Sequence, residues 1–407
     1  MNKKITTILI IIAVALLLFG LVYFYFYYMT PEEGGGANFP NANVPSGTGG
    51  ETGISPWETE DFTSPVNVGK EGITLRQITK DPVAGGIIFD KNGAVTVRYV
   101  DRGKGFIYET PAEEEGVFRI SNKTIPKIEQ ALWGEKGNEV ILRYLKDDET
   151  IVSFAGNLKG GTASGTEMSL DGIFLPSNIK EMAMSPSSGK IFYLSNSGAG
   201  SQNSTGITAG IDGARKLQIF DSPVHEWLVS WPEENVLALS TKPSLSVPGL
   251  LYFLNAKTGR MSKILGGIPG LTALASPSLS HVLYSESSKN SLALKVFDIK
   301  EAKSREAIVK TLPEKCVWSK KDSEIAYCGV PDVILDGNYP DSWYQGFVSF
   351  SDNIWKVKAV SGLATVVADL PGYGADIDLI NPILSPDEDY LLFQNKKDLT
   401  LWILKIK

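Results

Sequence analysis

A block of sequence recurs along this chain about every 45 residues, and a repeat of that period restricts the fold more than any other feature present. Four copies share Ser-Pro or Trp-Pro, a few polar residues, and then a short apolar strand. These are Ser185-Pro186 before Ile191-Phe192-Tyr193, Trp231-Pro232 before Val236-Leu237-Ala238, Ser276-Pro277 before Val282-Leu283-Tyr284, and Ser385-Pro386 before Leu391-Leu392-Phe393. Three further copies lack the proline: Trp133-Gly134 before Val140-Ile141-Leu142, Trp318-Ser319 before Ile325-Ala326-Tyr327, and Asp90–Gly93 before Val95-Thr96-Val97. With Asp90, Gly134, Ser185, Trp231, Ser276, Ser319 and Ser385 as pivots, the intervals are 44, 51, 46, 45, 43 and 66 residues.

Each pivot strand is followed by a second β-rich run: Phe106–Tyr108, Ile151–Phe154, Leu217–Phe220, Leu250–Leu254, Leu294–Phe297, Ile354–Val357 and Leu399–Leu404. Several of these end in Gly-containing turns, and helical periodicity is nearly absent. Seven units of this length predict an all-β, seven-bladed propeller, which leaves only short protected sheet edges. The last unit stops after its third strand, and Ile73–Thr79 precedes the first pivot with no earlier blade to join. The expectation is a propeller closed by an N-terminal outer strand that pairs with residues 399–405.

The Ser385–Phe393 copy, the apolar-Trp-apolar strand Leu401-Trp402-Ile403 and the outer strand Leu75-Arg76-Gln77-Ile78-Thr79 resemble TolB-type, WD40-like propellers over residues 73–407. The passage from Tyr339 to Trp355 resembles uncharacterised bacterial membrane-anchored propeller proteins. The likeness implies a shared architecture and carries no functional residue across, because the other copies drift to Ser-Pro-Ser, Trp-Pro-Glu and Trp-Gly-Glu.

Ahead of the repeats, Ile5–Tyr28 is uncharged and long enough for the ~30 Å hydrocarbon core of a bilayer, predicting a single N-terminal transmembrane helix. Lys3 and Lys4 precede it and Glu32 and Glu33 follow, which places 1–4 in the cytoplasm as a stub and the remainder outside. The alternative, a cleaved signal peptide, fits less well. Ala13-Val14-Ala15 lies within the apolar run, and six aromatics, Tyr23 to Tyr28, occupy the place of a cleavage site. Residues 29–72, rich in Gly, Pro, Ser and Thr, read as a flexible linker with a span of roughly 35 Å.

Two connections exceed the period, both after a second strand: 196–215, small and polar, and 329–351, aromatic and acidic. They are expected on one face, across the channel mouth from each other and away from the membrane. Long loops in compact domains are commonly functional. Asp332, Asp336, Tyr339, Asp341, Trp343, Tyr344 and Phe347 are therefore the candidate partner-binding residues, since Trp and Tyr supply large contact area with a polar handle. The competing expectation for the same aromatics is a local plug packed back on blade six.

The chemistry is limited by composition. Lys+Arg 39 against Asp+Glu 46 gives a net charge of -7, the wrong sign for tracking phosphates, so no nucleic-acid partner is expected. The only two histidines, His225 and His281, fall in different units and read as strand-end surface residues. No metal site, cofactor motif, nucleophile elbow or P-loop is found. The pairs Asp376/Asp378 and Asp387/Asp389 lack the continuation of a calcium loop and read as solvated turn carboxylates. Pairing Val317 with Tyr327 would make Cys316 and Cys328 cross-strand neighbours, a geometry suited to a disulfide in an oxidising compartment. The expected function is a membrane-anchored, extracytoplasmic, non-catalytic binding or scaffolding module for an envelope protein or surface ligand. The alternative is an envelope hydrolase or lyase with a carboxylate or metal site at the channel mouth, and a third reading is a structural spacer.

Overall fold

A computed structural model describes residues 74–407 apart from 122, 161–166, 188, 197–202 and 290. The expected membrane segment 5–28 and linker 29–72 lie outside the described residues.

The repeated pivot is a hairpin turn. At Ser276 the backbone N–H donates to the His281 carbonyl at 2.9 Å, and the Leu279 N–H returns to the Ser276 carbonyl at 2.9 Å. Ser385, Tyr390 and Glu388 repeat this pattern at 2.9 Å each, and Gly134 with Glu139 and Gly137 repeats it without a serine. The serine hydroxyl oxygen accepts two further backbone amides: Ser280 and His281 at 3.1 Å for Ser276, and Asp389 and Tyr390 at 3.2 and 3.0 Å for Ser385. The residue three after the pivot lies in the left-handed region, with φ of 70° at Gly137, 54° at Leu279 and 56° at Glu388. The non-glycine at the last of these has a compensation. The buried Glu388 carboxylate accepts from Ser319 Oγ at 2.8 Å and from the backbone N–H groups of Lys320 and Lys321 at 2.7 and 3.0 Å, holding the neighbouring blade's turn.

Among the described residues these hairpins build seven four-stranded antiparallel sheets. Blades one to six run Val83–Arg119, Ile128–Phe174, Glu181–Ser222, Trp227–Ile268, Ala273–Glu306 and Cys316–Ala368. Blade seven holds Leu379–Leu384, Tyr390–Asn395 and Leu401–Lys405, and its outer strand is Thr74–Gln77, with Thr74 opposite Lys405 and Gln77 opposite Trp402.

The core is divided among the interfaces between blades. Seven apolar clusters each draw residues from two neighbours, for example Leu283 and Leu294 of blade five with Trp318 and Ala326 of blade six. The cluster of Tyr390, Leu392 and Leu401 with Val83, Ile88 and Val97 joins blade seven to blade one, so the ring is continuous.

One expectation is corrected. Residues 196–215 are not a polar insertion, because Ser204–Gly210 is the third strand of blade three, paired with Lys190–Asn196 and Leu217–Ser222. Leu217–Phe220 consequently belongs to the fourth strand. The third strand is built of small residues because its neighbours fill the space. A Cβ on Gly206 would lie 2.5 Å from the Phe192 ring and 2.7 Å from Phe220 Cβ, so no larger side chain fits. The expected pair of facing insertions therefore reduces to the one on blade six.

Candidate functional site

The second strand of blade six ends at Pro331 and the third begins at Asp352, leaving a connection of aromatic and acidic residues interrupted by one helical turn, Asp341–Tyr344. It opens on the same face as the connections from each outer strand to the next inner strand, since adjacent strands in a blade alternate direction.

The connection has an inner and an outer side. Tyr339, Trp343, Val348 and Phe350 are buried in one cluster with Leu292 of blade five and Leu312, which follows that blade. The Tyr339 and Phe350 rings stack at 5.8 Å, and Trp343 lies at 6.5 Å from Phe350. Asp341 reaches back to blade four, accepting a hydrogen bond from the Leu245 N–H at 2.8 Å. Gly270, at φ 65°, gives way to the Tyr339 carbonyl, which would lie 2.7 Å from any Cβ there. The aromatic plug is thus the arrangement adopted by Tyr339 and Trp343. The outer side presents Phe347 at 81% exposure and Val333 at 66%, together with Leu335, beside the exposed Asp332 and Asp336. Asp332 also accepts from Asn353 Nδ2 at 2.5 Å. Tyr344 lies at the edge and donates its hydroxyl to Glu314, which accepts from Thr272 Oγ1 at 2.8 Å on its other oxygen. Burial pushes the Glu314 carboxyl above the usual glutamate range.

Beneath the plug is a cluster that sequence reasoning missed. Lys315, which immediately precedes the inner strand of blade six, places Nζ 2.7 Å from Asp352 Oδ2 and against Asp378 Oδ1, and all three side chains have 0% exposure. Asp378 also accepts from the Trp343 indole at 3.0 Å, Ser349 Oγ at 3.1 Å and the Phe350 N–H at 3.1 Å. The reading of Asp378 as a solvated turn carboxylate is therefore overturned. The insertion folds over the start of blade seven and seals Asp378, while Asp376 stays at the surface, 2.5 Å from Lys397. Asp352 Oδ2 accepts from the Leu379 N–H at 2.6 Å, whereas its Oδ1 has no partner. Burial raises the Asp352 carboxyl to about 6, against the opposing pull of Lys315.

Cys316 and Cys328 face each other in register and are joined by a disulfide. His225 is exposed, but His281 is not the surface residue expected: at 8% exposure it stacks on Trp318 at 6.2 Å, with Nδ1 2.9 Å from Ser280 Oγ. Its strand begins under blade six's inner tryptophan, which sequence spacing does not reveal. Among the described residues no group of three His, Cys, Asp or Glu side chains is placed to hold a metal ion.

No protein-family model matches the sequence, and no curated protein matches it. Solved structures match its fold at low identity. An oligogalacturonate lyase in complex with manganese is 10% identical, with a TM-score of 0.52 over 87% of this chain and 97% of that one. The oligogalacturonate lyase from Vibrio parahaemolyticus is 10% identical at a TM-score of 0.50, over 86% and 97%. The tricorn protease is also 10% identical at 0.50, over 84% of this chain but 34% of its own length. What this chain shares with all three is the propeller fold.

Proposed function

We propose that this propeller, of TolB-like pattern, is held outside the cytoplasmic membrane by residues 5–28. It acts as a non-catalytic binding module for an envelope protein or surface ligand, recognised through the outer side of the blade-six insertion. The observation that carries this reading is the two-sidedness of the insertion. Tyr339, Trp343 and Phe350 fix it to the ring, while Val333, Leu335 and Phe347 stand out toward solvent. Exposed apolar side chains on a firmly seated loop are how a rigid scaffold presents a recognition surface. The charge step from Lys3 and Lys4 to Glu32 and Glu33 supports the orientation, and the Cys316–Cys328 disulfide suits an oxidising compartment. The antiparallel pairing of Thr74–Gln77 with Leu401–Lys405 supports a latch role for the N-terminal strand. A hydrolase or lyase would need a reactive group open to substrate, and Asp352, whose carboxyl is raised by burial, is sealed.

The test is a photo-crosslinking amino acid at Phe347 in the full chain in its native membrane, with a control at Val360 in the turn between the third and fourth strands of blade six. The expected result is a discrete adduct at 347 that disappears in the V333S/L335S double variant. The same adducts at both positions, or none at 347, would overturn the proposal.

A further inference from the structure

The cluster under the insertion is an unusual way to fill a protein interior. A buried lysine between two carboxylates carries a heavy desolvation cost, and replacing such a group with apolar side chains is often neutral or stabilising. Here Lys315 Nζ also donates to the Leu379 carbonyl at 3.1 Å, and the Trp343 and Phe350 rings each lie 5.2 Å from it. The two carboxylates also differ. Asp378 receives the indole, a serine hydroxyl and a backbone amide, an arrangement suited to an anion. Asp352 has one oxygen held by the Leu379 N–H and Lys315, and one with no partner, which is where the hydroxyl of a neutral acid would sit.

We propose that Lys315 and Asp352 become joined by an intramolecular isopeptide bond, formed without any other enzyme and with Asp378 as the proton carrier. This inference does not depend on the binding role proposed above. Asp352 enters as the neutral acid, a form that burial favours. Passage of one proton from Lys315 Nζ to Asp378 leaves an uncharged amine beside the Asp352 carboxyl. The Nζ lone pair attacks Cγ, forming the N–C bond. The developing charge on Oδ2 is met by the Leu379 N–H, as in an oxyanion hole. Asp378 gives its proton to Oδ1 and takes up the second proton from the nitrogen, the Cγ–Oδ1 bond breaks to release water, and Asp378 ends protonated. One amide and one water result, and nothing is oxidised or reduced. Fixed positions in a dry site supply what this condensation lacks in water, namely proximity and exclusion of the reverse hydrolysis. The bond would enclose residues 316–351, which contain the disulfide and the whole insertion.

The experiment is mass spectrometry on the full chain purified in detergent, reduced, denatured and digested. The expected result is a branched peptide linking Lys315 to Asp352, lighter than its two linear parts by one water, with no cleavage by trypsin after Lys315. The Asp378→Asn variant, checked for folding by its circular dichroism melt, is expected to yield the two linear peptides instead. Linear peptides from the wild-type chain would overturn the proposal, as would a branch at Asp378. A loss of water mapped to Asp336-Gly337, where the Asp-Gly step can close to a succinimide, would overturn it equally.

Discussion

The Asp341 carboxylate accepts a hydrogen bond from the Leu245 backbone N–H at 2.8 Å, so the blade-six insertion is fastened to a loop two blades back. Asp341→Ala is expected to destabilise the fold by only about 1 kcal/mol, the net worth of one such bond. Its main effect should be local. Hydrogen exchange at the Leu245 amide and through 332–351 should accelerate, while exchange in the inner strands is unchanged. Asp341→Asn retains an acceptor and should restore protection.

Trp343 fills the plug and supplies the indole N–H to Asp378. Trp343→Ala should cost roughly 3–5 kcal/mol by denaturant unfolding, from the cavity it leaves. Trp343→Phe preserves most of the packing and removes the donor, so a loss of about 1–3 kcal/mol is expected. Equal losses in the two variants would show that the hydrogen bond, and not the ring volume, dominates.

Glu314 gives the insertion a pH dependence. Its carboxyl is raised in the folded state by burial, so the native protein holds the proton more tightly than the unfolded chain. The corresponding stability is fully present below the ordinary glutamate value and is lost as pH rises through the raised one. Glu314→Gln keeps one acceptor oxygen and turns the other position into an NH2 donor, so one of the Thr272 and Tyr344 hydroxyls must accept instead; it removes the titrating group and should flatten this component. The check is a series of thermal melts across the acidic range, with the wild-type minus variant difference falling as pH increases.

The N-terminal strand is bound at several points besides its ladder. The Arg76 guanidinium donates to the carbonyls of Pro111, Ala112 and Glu114 at 2.8, 3.0 and 3.0 Å, and the Ile78 N–H donates to the Leu401 carbonyl at 2.8 Å. Deleting residues 73–79 should lower the melting temperature and broaden the transition across the ring. An unchanged circular dichroism melt would refute the latch.

The repeat was legible because its physical basis is local. A serine oxygen that accepts amides four and five residues on, as Ser276 and Ser385 do, leaves a short and recurring sequence mark. The third strand of blade three left no mark, since Gly206 takes its packing from Phe192 and Phe220 rather than from its own side chain. Lys315, Asp352 and Asp378 are far apart in sequence and meet only because two blade starts and the base of an insertion converge. Read by itself, Asp376-Ile377-Asp378 looked like a wet turn; the insertion that dries half of it comes from the preceding blade. Phe347 was recognisable as an aromatic loop residue, but its outward direction, opposite to that of Trp343, depends on how the helical turn is seated.

The pairing of Thr74–Gln77 with Leu401–Lys405 has a consequence for how the chain matures. The segment of the ring that leaves the ribosome first finds its partner last, after every other blade has been made. Until then Leu75 has no sheet to enter, and blade one lacks the neighbour that covers Val83, Ile88 and Val97. Contacts of such high sequence separation form slowly, and unpaired strand edges recruit other chains. A nascent or C-terminally truncated copy would therefore carry both an open edge and an uncovered apolar face, which makes the period before completion the time of greatest exposure to aggregation and proteolysis.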